Sequence, residues 1–321
     1  MCKYALKHSV FFLEAAPSFS FYCPFRAPVK CAMMKGEWKR SVKHVKQPRN
    51  PRRLVVKVGT STLTYATGNI NFRRLSRLVE VLSDISNAGV QVVLVSSGAI
   101  GIGTKKLRLG ERPTELRMKQ AAAAVGQCRM MHIYDKLFAE YNRTVAQILL
   151  TGEDVESPVR SEHLHNTFEA LLELGVIPVV NENDSVSSAE IETGQCKVLG
   201  DNDTLSAIVA RLCGAGLLVL FSDIDGLYDA DPRTHPDARL IHQVEAITPE
   251  LRAMAGGAGT WRGTGGMATK LNAAETALAA GIEMVIANGS NMDAIYDIVA
   301  GKDVGTRFAL EERRLEQEGL T

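Results

Sequence analysis

Short apolar runs rich in Val, Ile and Leu recur between amphipathic stretches from residue 54 onward, and no other feature constrains the fold as much. LVVKV (54–58), VQVVLV (90–95), VAQILL (145–150), VIPVV (176–180), LLVLF (217–221) and IEMVIA (282–287) have strand length and little polar alternation. Strands covered on both faces read this way. Helical spacing fills the intervals, over 73–88, about 114–140, 161–174, 203–213 and 267–280, with Gly89 and Gly175 as stops. Such alternation predicts right-handed βαβ units and a mostly parallel sheet with helices on both sides. In such sheets ligands bind beyond the carboxyl ends of the strands. The polar clusters sit at those ends: Lys57-Val58-Gly59-Thr60, Ser96-Ser97-Gly98, Asn181-Glu182-Asn183-Asp184 and Ser222-Asp223.

Charge separates the first 53 residues from the rest. They carry twelve Lys/Arg against Glu14 and Glu37, a balance of +10, which leaves 1 − 10 = −9 for the remainder. An acidic body does not suggest a nucleic-acid-binding core. No apolar run approaches the roughly 20 residues needed to span a bilayer, so neither nucleic acid nor membrane is an expected partner. Residues 1–53 contain Pro17, Pro24, Pro28 and Pro48 and no sustained period. They read as a basic extension, disordered or lying upstream of a start at Met33 or Met34. Their poverty in acids also suits an organellar transit segment. The expected organisation is an extension (1–53), one domain (54–310) and a short tail (311–321). The compartment expected is the cytoplasm, or an organelle if 1–53 is a transit segment. No Cys pair has metal-binding spacing, and Cys128 and Cys213, in apolar surroundings, are expected to be core thiols.

The clusters suggest chemistry of unequal specificity. In KVGTS (57–61), Gly59 lets the backbone approach a ligand. Lys57, among valines, needs a partner, and a structural ion pair and a functional cation both remain open. SSGAIGIG (96–103) can form a turn with donating amides, although any strand-to-helix turn can look so. No GxxxxGK[ST] occurs, and no GxGxxG follows a strand. Asp184 and Asn183 of NENDSV (181–186) can bind a cationic amino group. In LGDNDTLSA (199–207), Asp203 could simply cap a helix. SDIDGLYDADPR (222–233) fails the calcium-loop pattern. GGAGTWRGTGGMATK (256–270) reads as a mobile glycine-rich loop, and Lys270 then falls in the first turn of a helix. A cation there opposes the helix dipole unless an anion sits between them.

Taken in order, VVKVGTS, LVSSGAIGIG, KQAAAAVGQ, NENDSV, GDND, SDIDGLYDADPR and GTGGMATK resemble the amino-acid-kinase family over about residues 53–308. Within it, they are most similar to the branch that phosphorylates the side-chain carboxylate of L-glutamate. The resemblance implies an α/β fold, a three-layer αβα sandwich with a mostly parallel central sheet. It implies ATP-dependent formation of L-glutamyl 5-phosphate, the first step of proline biosynthesis, with Mg²⁺ accompanying ATP and L-proline as inhibitor. A homo-oligomer is expected. Ser97, Asp184 and Asn202 match residues that bind glutamate. Lys57, Gly59, Ser222, Asp223, Thr264, Gly265, Gly266, Met267, Ala268, Thr269 and Lys270 match the ATP site. Lys57 and Lys270 would meet the transferred phosphoryl group, with Asp223 orienting both. Two departures stand out. QCKVL (195–199) lengthens the loop between NENDSV and GDND, and no RNA-modification-like domain is expected after the tail.

Overall fold

Arg53–Lys57 forms the first strand, β1, with all five residues buried. The computed structural model describes residues 51–187, 201–255 and 266–309. After β1 come the short helix α1 (Thr60–Leu63), α2 (Phe72–Asn87), β2 (Gln91–Val95), α3 (Ala99–Lys106) and α4 (Leu116–Ala139). The chain continues through β3 (Val145–Leu150), α5 (Gly152–Glu156), α6 (Pro158–Glu173), β4 (Ile177–Glu182), α7 (Asn202–Leu212) and β5 (Leu217–Ser222). Three small strands follow, β6 (Leu227–Tyr228), β7 (Leu240–Ile241) and β8 (Gln243–Val244). The last elements are α8 (Pro249–Ala255), α9 (Met267–Ala279), β9 (Glu283–Asn288), α10 (Ala294–Val299) and β10 (Thr306–Phe308).

The main sheet runs β3-β4-β2-β1-β5-β9-β10-β8. Every neighbouring pair is parallel except β9 and β10. The mostly parallel sheet is therefore as expected, with an antiparallel pair at one side that three residues of strand do not signal in advance. Side-chain alternation divides two cores. Leu54 and Val56 of β1 join Leu78, Leu82, Tyr134, Phe138 and Ile295, from α2, α4 and α10. Val55 joins Phe168, Leu172, Leu205 and Leu271, from α6, α7 and α9. Helices thus cover both faces, which makes the three layers. Lys57 shares the parity of Val55 and so falls on the α7 side. Because β2 and β5 flank β1, the chain winds away in both directions from this strand, and the crevice above its carboxyl end is a topological switch point.

Two sequence expectations change. The domain begins before residue 54. Arg53 is buried, with its guanidinium bonded to Glu169 Oε1 at 2.6 Å and to Gln91 Oε1 at 3.0 and 2.8 Å, and the Arg52 carbonyl accepts from Gln91 N. The chain divides into units Met1–Lys46 and Gln47–Thr321, and all described residues lie in the second. A truncation through Arg53 would therefore remove a buried residue of β1. The second change concerns SSGAIGIG. Beyond Gly98, in the left-handed region at φ 95°, this stretch is helix α3. Its Gly103 packs against α4 so closely that an added Cβ would stand 1.7 Å from the Ala122 carbonyl oxygen. At Gly126, on α4, a Cβ would stand 1.8 Å from the Ala99 carbonyl oxygen. Those glycines allow two helix backbones to touch. Gly126→Ala is expected to destabilise the protein by about 1–3 kcal/mol or more, because backbone cannot move aside as a side chain can. A thermal melt checks it, and an unchanged melting temperature would mean that α3 and α4 separate freely.

Candidate active site

Two buried lysines meet one carboxylate above the carboxyl end of β1. Lys57 Nζ lies 2.5 Å from Asp203 Oδ1, and Lys270 Nζ lies 3.0 Å from Asp203 Oδ2. The residues are 7%, 6% and 1% exposed. Taking three charges out of water together is tolerable only where they compensate one another. Burial pushes the Asp203 carboxyl up, but Lys57 and then Lys270 more than offset this and hold it down at about 2. One carboxylate thus holds two ammonium groups at this point of the crevice.

Local sequence explains the placement. Asp201 is the N-cap of α7, accepting from the amides of Asp203 and Thr204 at 2.7 and 3.0 Å. Capping is thus done by Asp201, which frees Asp203 to reach into the sheet; the reading of Asp203 as a cap is corrected. On α9, Thr269 Oγ1 donates to the Gly266 carbonyl at 2.7 Å and also lies 3.0 Å from Asp203 Oδ2. Lys270, one residue on, enters the same cluster. The anion that offsets its unfavourable position near a helix N-terminus includes a carboxylate of the protein itself.

Asp223 was expected to orient these lysines. The residue that bridges them is Asp203, whereas Asp223 is exposed, 3.7 Å from Arg233 and accepting from the Ser222 hydroxyl at 3.3 Å. The reason lies in where the helix starts: α7 points its first turn at the end of β1, while Asp223 sits past the end of β5, facing outward. Ser222 is buried as the last residue of that strand. A Cβ at Gly59 would sit 3.7 Å from Lys57 Nζ, so a longer side chain would grow over the ammonium. Met267 and Ala268 begin α9 behind Gly266. Thr264, Gly265 and the 195–199 insertion lie outside the described residues.

The residues expected at the other substrate form a second group. The Ser97 hydroxyl donates to the Val58 carbonyl at 3.1 Å and lies 3.4 Å from Thr60 Oγ1, so the loops after β1 and β2 are tied together. Gly98 sharpens this contact, since a Cβ there would come within 3.1 Å of Thr60. The Asn202 side-chain amide donates to the Ser96 carbonyl at 3.1 Å and to Asn181 Oδ1 at 3.3 Å. Asn181 in turn donates to Gln127 Oε1 at 2.9 Å. Asp184 lies just past β4 and lines a cavity of about 370 Å³ with Glu182, Gln127, Cys128, Met131 and Leu149. Cys128, expected in the core, is exposed at this cavity, while Cys213 is buried as expected. The structure thus ties Asn202 through Asn181 to the wall that Asp184 shares, and Asn202 adjoins Asp203 in sequence.

No group of three or more His, Cys, Asp or Glu among the described residues is arranged to hold a metal ion. A divalent ion retaining several waters and held by phosphate oxygens needs no such cage. Among the described residues no helix is long and apolar enough to cross a membrane.

Residues 52–288 match the amino acid kinase family. Glutamate 5-kinase of Clostridium perfringens (strain 13 / Type A) is 53% identical over 264 residues, 82% of this chain and 97% of that protein. Glutamate 5-kinase of Listeria innocua is 50% identical over 271 residues, 84% of this chain and 98% of that protein. Among solved structures, UMP kinase from Bacillus anthracis superposes with a TM-score of 0.56 at 16% identity, over 82% of this chain and 98% of the other. Isopentenyl phosphate kinase from T. acidophilum does so with a TM-score of 0.54 at 17% identity, over 80% and 99%. At such identities these two structures share the fold and no more.

Proposed function

This chain belongs to the amino acid kinase family, and we propose from that premise that it transfers the γ-phosphoryl group of ATP to the side-chain carboxylate of L-glutamate. The product is L-glutamyl 5-phosphate, and the reaction is the first step of proline biosynthesis. The observation that carries this reading is the pair of buried lysines held by Asp203 at the switch point of the sheet.

The acceptor carboxylate has a reference pKa of about 4.3 and is ionised at neutral pH, so it attacks phosphorus without a general base. A carboxylate oxygen forms the new bond to the γ-phosphorus, and the bond to the bridging oxygen of ADP breaks. Catalysis is then alignment and cancellation of negative charge. Lys57 and Lys270 would meet the transferring group, and Asp203 keeps both ammonium groups in position. Gly59 leaves the approach to Lys57 open. Ser222, Asp223 and residues 264–270 are assigned to ATP. Kinases of this kind generally use a divalent metal; Mg²⁺ would enter as part of the MgATP substrate, screening the phosphates. Asp184 would bind the substrate ammonium, with Asn202 and Ser97 shaping the pocket around the chain. L-Proline has an α-carboxylate and a secondary ammonium but no side-chain carboxylate, so it would occupy this pocket without reacting. The resemblance also carries a homo-oligomeric, cytoplasmic enzyme.

Coupled ADP release, measured over glutamate, aspartate, N-acetylglutamate and UMP, tests the assignment. Glutamate should be turned over with Mg²⁺, and N-acetylglutamate should not, because acetylation removes the positive charge that Asp184 is assigned to bind. Asp184→Ala should raise the glutamate KM with a smaller change in kcat. Comparable turnover of glutamate and N-acetylglutamate would rule the substrate out.

A further inference from the structure

One wall of the cavity beside Asp184 holds a buried donor with no acceptor. Gln127 on α4 is 6% exposed, and its Nε2 has no hydrogen-bond partner among the described residues. Its Oε1 is occupied, accepting from Asn181 Nδ2. A backbone carbonyl two side chains away determines which end of the Gln127 amide is nitrogen. The Ser96 carbonyl can only accept, so the Asn202 atom facing it is nitrogen. The same nitrogen faces Asn181, which must present oxygen to it. Asn181 therefore turns its nitrogen to Gln127, which must answer with oxygen. What remains unpaired on Gln127, a residue of the cavity lining, is its NH₂ group. Buried donors left unsatisfied are rare and costly, and a bound acceptor is one way to satisfy them.

We propose that Gln127 is a specificity-determining residue whose Nε2 binds the α-carboxylate of glutamate. The inference rests on the glutamate reading and adds a contact to it. Asn202 connects the two ends of the site. At one end its neighbour Asp203 holds the lysines, where the reacting carboxylate must lie. At the other end the relay through Asn181 reaches Gln127 at the cavity. The part of the substrate farthest from the lysines is its α-carbon, which carries an ammonium and a carboxylate. Glu182 and Asp184 in the cavity wall suit the ammonium, and the amide donor of Gln127 suits the carboxylate.

Gln127→Glu keeps an oxygen for Asn181 while replacing the donor with a negative charge. Kinetics with glutamate and with 4-aminobutyrate, which keeps the reacting carboxylate and the amine but lacks the α-carboxylate, separate recognition from structure. Binding of 4-aminobutyrate is read as turnover or as competitive inhibition. The glutamate KM is expected to rise roughly 10- to 100-fold, the worth of one hydrogen bond to a charged group. The preference for glutamate over 4-aminobutyrate should fall by the same factor, with the ATP KM unchanged. A merely structural role would weaken both ligands alike. Gln127→Met removes the donor without adding charge and decides the matter if the Glu variant does not fold. An unchanged preference in a folded variant that still phosphorylates glutamate overturns the role of Gln127 alone. Absence of glutamate turnover in the unaltered protein overturns the kinase reading and this one together.

Discussion

Lys57→Ala and Lys270→Ala are each expected to lower kcat roughly 10²- to 10³-fold, the scale on which removing one donor to transition-state charge is felt. Glutamate KM should move far less. Both ammonium groups are directed by Asp203 to one region above β1, and charge accumulates on the transferring phosphoryl group only as reaction proceeds. An interaction felt mainly in the transition state appears in kcat. The two losses should not add, because the lysines share one carboxylate and act as a unit. Either single variant should also fold. Asp203 keeps one ammonium and the Thr269 hydroxyl when the other lysine is gone, so the carboxylate is never orphaned. Steady-state kinetics in both substrates, with melting curves beside them, check the claim. A folded variant with near-normal kcat would remove that lysine from the mechanism.

The strands were legible because burial on both faces leaves a run such as LLVLF no polar position, and Leu217–Ser222 indeed forms β5. Helix α2 was legible from its spacing and from Gly89, which follows it at φ 95°. Helix α3 was not, because glycine is a poor helix former and its purpose at Gly103 is a contact with α4, distant in sequence. The candidate site shows the same division. Lys57 and Lys270 drew notice through their flanking residues, but their roles at the phosphoryl group, and Asp223 as the residue orienting them, came with the family resemblance. Local pattern gave Asp223 only a place beside a turn after a strand, and Asp203 only a capping role. What decides between them is an ion pair across 146 positions of sequence, and only the assembled sheet brings those positions together. Gln127 was equally hidden. It stood inside KQAAAAVGQ, and nothing in that run marks one amide as lacking a partner.

Removing Asp203 should harm the protein more than removing either lysine, and it should do so in two ways. Asp203→Ala leaves two ammonium groups buried without their shared carboxylate. Breaking a buried ion pair by deleting one partner costs about 3–5 kcal/mol, chiefly through the charge left behind. For a domain of this size that corresponds to roughly 6–20 °C in melting temperature. Activity should fall as well, since neither lysine is then held in place. Adding Lys57→Met to Asp203→Ala should recover part of the stability by removing one orphaned cation, and none of the activity. That split separates charge compensation from catalysis. Acid titration gives an independent reading. The folded-state value of about 2 lies below the ordinary carboxyl value of 3.8, so the contribution of Asp203 is fully present above the upper value and is lost as pH falls through the lower one. Asp203→Asn, which keeps the shape but cannot ionise, should flatten that part of the stability curve between about pH 4 and 2. If the melting temperature of Asp203→Ala matched that of the unaltered protein at neutral pH, the lysines would have to be compensated elsewhere, and the central place given to Asp203 would be lost.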